Sequence, residues 1–238
     1  LRSICEATDR ELLAHLAITI VLPSRDQNVP LPELSNCSAR SIRRADAISS
    51  DGGWLSAITG AAAGRGSSRL LAVDSRVQAT RTSLRGILDA LESGVDVAGG
   101  IVLYPDGTIH SDCYEFTRVP VVDQDHLLPV SLSRGFPSTM LKTSTKTAVA
   151  LGEDPWVPSA FVIGIQGRAL DFVATEVRLD NAEEICRHIV LCHANLLLAL
   201  LGEPCSFAVA RSSFSVIGGA AQELETPLAT SSMGYSLQ

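Results

Sequence analysis

Aromatic side chains are scarce, with 2 Trp, 3 Tyr and 6 Phe in 238 residues, so few rings are available to stack on a sugar or a base. Positive charge is also short. Lys and Arg number 19 against 26 Asp and Glu, a net charge of −7, which excludes the concentrated basic field that phosphate backbones require. The cluster Arg40-Ser41-Ile42-Arg43-Arg44 is too brief to reverse that balance, and no nucleic-acid partner is expected.

Paired cysteines are missing. Cys5, Cys37, Cys113, Cys186, Cys192 and Cys205 are scattered, without a Cys-x-x-Cys pair or a compact framework, which predicts reduced thiols and a cytoplasmic protein. Long apolar runs are missing too. The longest, residues 189–201, is interrupted by His193 and Asn195 and falls short of the roughly 20 residues that cross a bilayer, so it predicts a core helix and not a transmembrane one. No secretion signal opens the sequence. Its first residue is Leu1 rather than Met, from which a longer polypeptide with flanking domains or a protein partner is expected.

What is present is the composition of a soluble globular chain, 46% hydrophobic and 19% charged, long enough to bury a full core. Residues 12–16 continue a short helix. Ala17-Ile18-Thr19-Ile20-Val21-Leu22-Pro23 is a β-branched run stopped by proline and predicts a buried strand, while residues 38–48 and 54–63 are expected to be helical. Leu70-Leu71-Ala72-Val73-Asp74 reads as a strand ending on an acid. Apolar residues at 84, 87, 88 and 91, followed by Gly94, predict an amphipathic helix over residues 82–91. Residues 95–103 return to strand.

Tyr104-Pro105-Asp106-Gly107-Thr108 then predicts a hairpin, because Pro presets φ, Asp can accept a bond from the backbone two residues on, and Gly tolerates φ above zero. Between residues 119 and 158 periodicity fades and the prolines suggest loops. Residues 160–165 and 169–177 read as strands, residues 181–201 as a long helix, and residues 205–210 as a last short strand. Alternating strand and helix predicts a mostly parallel sheet covered by helices.

Two constellations invite a chemical reading. His188 and Cys192 at i, i+4 on the long helix would make half of a zinc site with Cys205 as a further ligand, but the spacing matches no established zinc motif, and packing in an apolar helix explains them better. His110 and Asp112 at i, i+2 share one face of a strand. Asp106 is accounted for by its turn.

In their order along the chain, the first strand with Ser24-Arg25-Asp26 at its end, Leu70-Leu71-Ala72-Val73-Asp74, the Val97 to His110 hairpin and the Cys205 to Gly219 segment resemble a GT-A type, rhamnosyltransferase-like inverting glycosyltransferase. The resemblance implies an α/β fold, a mostly parallel GT-A-like sheet flanked by helices with an inserted α+β subdomain. Its parts would be residues 1–117 for nucleotide-sugar binding, residues 118–202 as the insertion, and residues 203–238 as the return to the core.

It further implies sugar transfer from a nucleotide-sugar donor to a glycan acceptor with Mg²⁺ or Mn²⁺ as cofactor. Asp74 would be the metal ligand, Ser24 and Asp26 would meet the donor, His110 and Arg211 would border the acceptor, and Glu223 or Glu225 would be the catalytic base after a register shift, while Arg76 would neutralise the donor diphosphate without metal. The chain departs from the family at two places. Asp74 is followed by Ser75 and Arg76 instead of a second acid, and Gly218-Gly219 by Ala220-Ala221-Gln222-Glu223 instead of an Asp-Glu pair. These departures favour the alternative, a non-catalytic structural or protein-interaction module.

Overall fold

A computed structural model describes residues 2–22, 39, 41–46, 69–74, 76–121, 124–130, 133–140, 147–149, 156–159, 161–167, 206–217 and 235–236. Two short helices, α1 (Arg2–Ala7) and α2 (Arg10–His15), open the chain, the second started by the Asp9 carboxylate accepting from the Glu11 N–H at 3.1 Å. β1 (Ala17–Leu22) follows as a strand, though not the buried one expected, since Ala17 is exposed and Ile18 and Ile20 are half-buried. It pairs in parallel with β2 (Ser41–Asp46), so part of the segment expected to be a helix over residues 38–48 is a strand.

The main body is a 7-stranded sheet. Its members are β3 (Arg69–Val73), β4 (Val77–Ala79), β5 (Val97–Leu103), β6 (Ile109–Ser111), β9 (Thr147–Val149), β11 (Val162–Gln166) and β12 (Ser206–Val216). The order is β3-β11-β5-β12-β4, with β6 added to β5 and β9 to β12. A second, 4-stranded sheet has the order β10-β7-β8-β13, from β7 (Cys113–Val121), β8 (Gln124–Val130), β10 (Trp156–Pro158) and β13 (Tyr235–Ser236).

This architecture corrects the expected helix-flanked, mostly parallel α/β fold. Within the 7-stranded sheet only β5 and β12 pair in parallel, and every other pairing is antiparallel. Among the described residues the helices are few and the chain is strand-rich. The reason lies in β11, which inserts between β3 and β5 and runs against both. β3, β5 and β12 do share one direction, as consecutive strand and helix units would, but β3 and β5 are not neighbours. The segment expected to be loop over residues 119–158 contributes β8, β9, β10 and the end of β7.

Prolines misdirected that expectation. Pro120 and Pro129 lie in the β7–β8 hairpin at positions paired on one side only, since β10 meets β7 at residues 113–115 and β13 meets β8 at residues 126–127. Pro158 sits in β10, itself an edge strand. A strand paired on one side loses no ladder bond to a proline whose nitrogen faces outward.

The amphipathic helix forms as its spacing predicts. α3 (Ser83–Glu92) lays Leu84, Ile87, Leu88 and Leu91 on the sheet, where they join Ala98, Val102, Val162, Ala210 and Phe214 in the core. Gln166 caps its C-terminal end, with Nε2 donating to the Leu91 carbonyl at 2.6 Å and the Val95 carbonyl at 2.8 Å. At its other end the buried Ser83 hydroxyl accepts from the Thr80 N–H at 2.7 Å and donates to the Ser213 carbonyl at 2.6 Å, tying the helix to β12.

Close packing needs the bare backbone of Gly100. A Cβ there would collide with the Phe214 ring and approach Ile87 Cδ1 at 3.4 Å. Gly100→Ala is therefore expected to cost about 1–3 kcal/mol of stability, the range of overpacked cores, read as a lowered urea midpoint.

Cys5 is disulfide-bonded, which corrects the expectation of a reduced thiol there, while the buried Cys113 is a reduced thiol. Among the described residues no helix is long and apolar enough to cross a membrane.

Candidate functional site

Three of the residues singled out for binding or metal ligation come together at one corner of the sheet. Asp74 follows β3 directly, and its N–H donates to the Phe161 carbonyl at 2.8 Å, fixing the strand end against the start of β11. The chain then turns. Asp74 Oδ1 accepts the Arg76 N–H at 2.9 Å, the short-range bond by which aspartate shapes a turn, and the Asp74 carbonyl accepts the Val77 N–H at 3.2 Å.

Arg76 closes on the same carboxylate. Its Nε donates to Oδ1 and its Nη2 to Oδ2, both at 3.0 Å, a two-pronged pair in which the Asp74 side chain is only 7% exposed and that of Arg76 31%. Both carboxylate oxygens of the acid expected to hold Mg²⁺ or Mn²⁺ are thus engaged by the neighbouring guanidinium. Among the described residues no group of three or more His, Cys, Asp or Glu is placed to hold a metal ion. The guanidinium carbon also stands 5.9 Å from the centre of the Phe161 ring, within reach of a cation–π attraction.

Phe161 links this pair to His110. The two rings meet edge to face at 5.1 Å, and on its other side His110 meets Tyr104 at 5.0 Å. His110 is 2% exposed, and among the described residues neither ring nitrogen has a hydrogen-bond partner. Its register explains why it points inward: Ser111 pairs with Val102 and Ile109 with Leu103, so His110 is the extra residue of a bulge. Burial first, then the charges of Arg134 and Arg76, lower its pKa to about 4, so the imidazole is neutral at pH 7.

The hairpin that carries His110 forms as Pro-Asp-Gly predicts. Asp106 Oδ1 accepts the Thr108 hydroxyl at 2.7 Å and N–H at 2.9 Å, bonds that hold its carboxyl below the usual range, and Gly107 takes φ +84. Arg134 reaches the same hairpin, donating from Nε at 3.1 Å and Nη2 at 2.9 Å to the Tyr104 hydroxyl.

Behind His110 the chain passes twice between the two sheets. Asp112 joins β6 to β7, and residues 159–161 join β10 to β11. The crossings are bound to each other by the Ser159 N–H on the Asp112 carbonyl at 2.9 Å and by the Ser111 and Ser159 hydroxyls at 2.9 Å. Gly99 sits beneath them, where a Cβ would fall 2.5 Å from Pro158 Cβ. His110, Ser111, Asp112 and Ser159 are all buried, making this a polar knot inside the fold.

Arg211 falls on β12 in the irregular stretch between Val209 and Ser213, its side chain outside the described residues. Ser24, Asp26, Glu223 and Glu225 lie outside the described residues, as do His188, Cys192 and Cys205 and the segments over residues 54–63, 169–177 and 181–201. Phe161, Tyr104 and Arg134 complete the corner and were not singled out from sequence. Phe161 and Arg134 belong to stretches whose periodicity carries no sign of the hairpin they meet.

No family model matches this chain, and none of the curated proteins compared with it matches either.

Proposed function

We propose that this chain is a non-catalytic structural or protein-interaction module. The observation that carries the reading is the Asp74–Arg76 pair. The acid expected to hold a metal spends both of its oxygens on Arg76, and the cation expected to meet a diphosphate spends its guanidinium on that acid. His110 supports the same reading, since its ring is packed between Tyr104 and Phe161 and is 2% exposed. A general base must come within hydrogen-bond reach of the proton that it takes, and a ring enclosed in this way fills space instead.

The test is thermal unfolding of the full chain against nucleoside diphosphates and nucleotide sugars, each with and without Mn²⁺. A module of this kind gives no shift with any of them and no donor hydrolysis. A ligand at 100 times its dissociation constant would stabilise the fold by about 2.7 kcal/mol, and a metal-dependent shift of that size would overturn the reading in favour of a working donor site.

A further inference from the structure

We infer that His110 is an acid-sensitive latch: as a neutral ring it holds the hairpin over residues 104–111, and the segment over residues 133–140 docked on it, against the sheet, and on taking a proton it releases them. The latch is independent of the functional reading above. It rests first on placement. His110 is the bulged residue of a short strand at the point where the chain leaves one sheet for the other, so its side chain is the plug beneath the hairpin.

What the ring touches makes the plug sensitive to charge. Tyr104 faces it from the start of the hairpin and Phe161 from the start of β11, both edge to face, and neither ring nitrogen has a partner among the described residues. The charges that act on it are the guanidinium of Arg134, held on the Tyr104 hydroxyl, and that of Arg76, held on Asp74. Asp112, two residues on and also buried, makes no hydrogen bond to the ring, and its Oδ1 has no partner among the described residues. An imidazolium here would thus be buried beside like charges without an acceptor, a cost relieved only by leaving.

The consequence has a definite sign. A histidine whose pKa is lowered in the closed state binds its proton more readily when open, so the closed state is fully stable above the ordinary value near 6.5. It loses stability as pH falls towards about 4. Each pH unit in that window shifts the opening equilibrium about tenfold. The bonds that opening would break are specific: the Ile109 N–H on the Phe136 carbonyl at 2.8 Å, the Gly135 N–H on the Ile109 carbonyl at 2.8 Å, and the Ser138 N–H on the Gly107 carbonyl at 3.4 Å.

Hydrogen exchange of the full chain at pH 7 and pH 5, corrected for the intrinsic chemical rate, tests this with α3 as internal reference. Protection over residues 104–111 and 133–140 is expected to fall about twentyfold between the two values while that of α3 stays level. Equal loss in both regions, or loss in neither, would overturn the latch. In His110→Phe, which keeps a ring between Tyr104 and Phe161 but cannot titrate, protection of the hairpin is expected to be flat. The same fall in that variant would assign the effect to another group and overturn the proposal. If the variant fails to fold, the two wild-type comparisons decide.

Discussion

Phe214→Ala is expected to lower stability by about 4 kcal/mol, within the range of Phe to Ala changes in cores. The ring is fully buried in the cluster formed by α3, β5, β11 and β12. It covers the backbone of Gly100, which has no side chain to swing into the space left behind, so the cavity would persist rather than collapse. Against a total of about 5–15 kcal/mol for a domain, this is a large share. Urea unfolding checks it, as a lowered midpoint with an unchanged slope. A loss under about 1 kcal/mol would mean that the helix and sheet do not close on this ring.

Arg76→Ala is expected to cost about 2–3 kcal/mol. Breaking a fully buried pair leaves a bare charge behind and costs about 3–5 kcal/mol, and the partial exposure of Arg76, 31%, places this case at or below the lower end. Asp74 would keep its bond from the backbone N–H at position 76 but lose both donors of the guanidinium. Arg76→Lys is expected to recover little, because an ammonium cannot present two parallel N–H groups or lie over the Phe161 ring in the same way. Equilibrium unfolding of the two variants in parallel is the check.

The elements that could be read from sequence are those whose information is local. Residues 84, 87, 88 and 91 announced α3, Gly107 and Asp106 announced the hairpin, and the apolar runs before Pro23 and up to Asp74 announced β1 and β3. Strand direction was not, since all pairings in the 7-stranded sheet except that of β5 with β12 are antiparallel. Nor was neighbourhood: whether β11 slips between β3 and β5 is decided by packing of residues that are far apart in the chain, and no local pattern records it. The prolines of β7, β8 and β10 had the opposite effect, hiding strands because one-sided pairing excuses the missing N–H.

The candidate site divides in the same way. Asp74, Arg76 and His110 are chemically conspicuous and do meet at one corner, but type and spacing could not say whether they face a ligand or each other. Arg76, expected to meet a donor, instead lays its guanidinium on the Asp74 carboxylate, two residues away. Phe161 and Arg134, which turn His110 from an exposed strand residue into a buried plug, sit in distant segments. Burial of a polar residue is the product of those distant contacts and leaves no mark on its own neighbours in sequence.

These residues hold the fold together through one another, and a double-mutant cycle on Asp74 and Arg76 is the decisive check. Asp74→Ala, Arg76→Ala and the double variant would be unfolded in urea beside the wild type. A coupling of about 2 kcal/mol is expected, with the double variant no less stable than Arg76→Ala, because removing the acid also removes the stranded charge. Additive or negligible losses would contradict it, and would mean that Asp74 and Arg76 are kept for something other than each other.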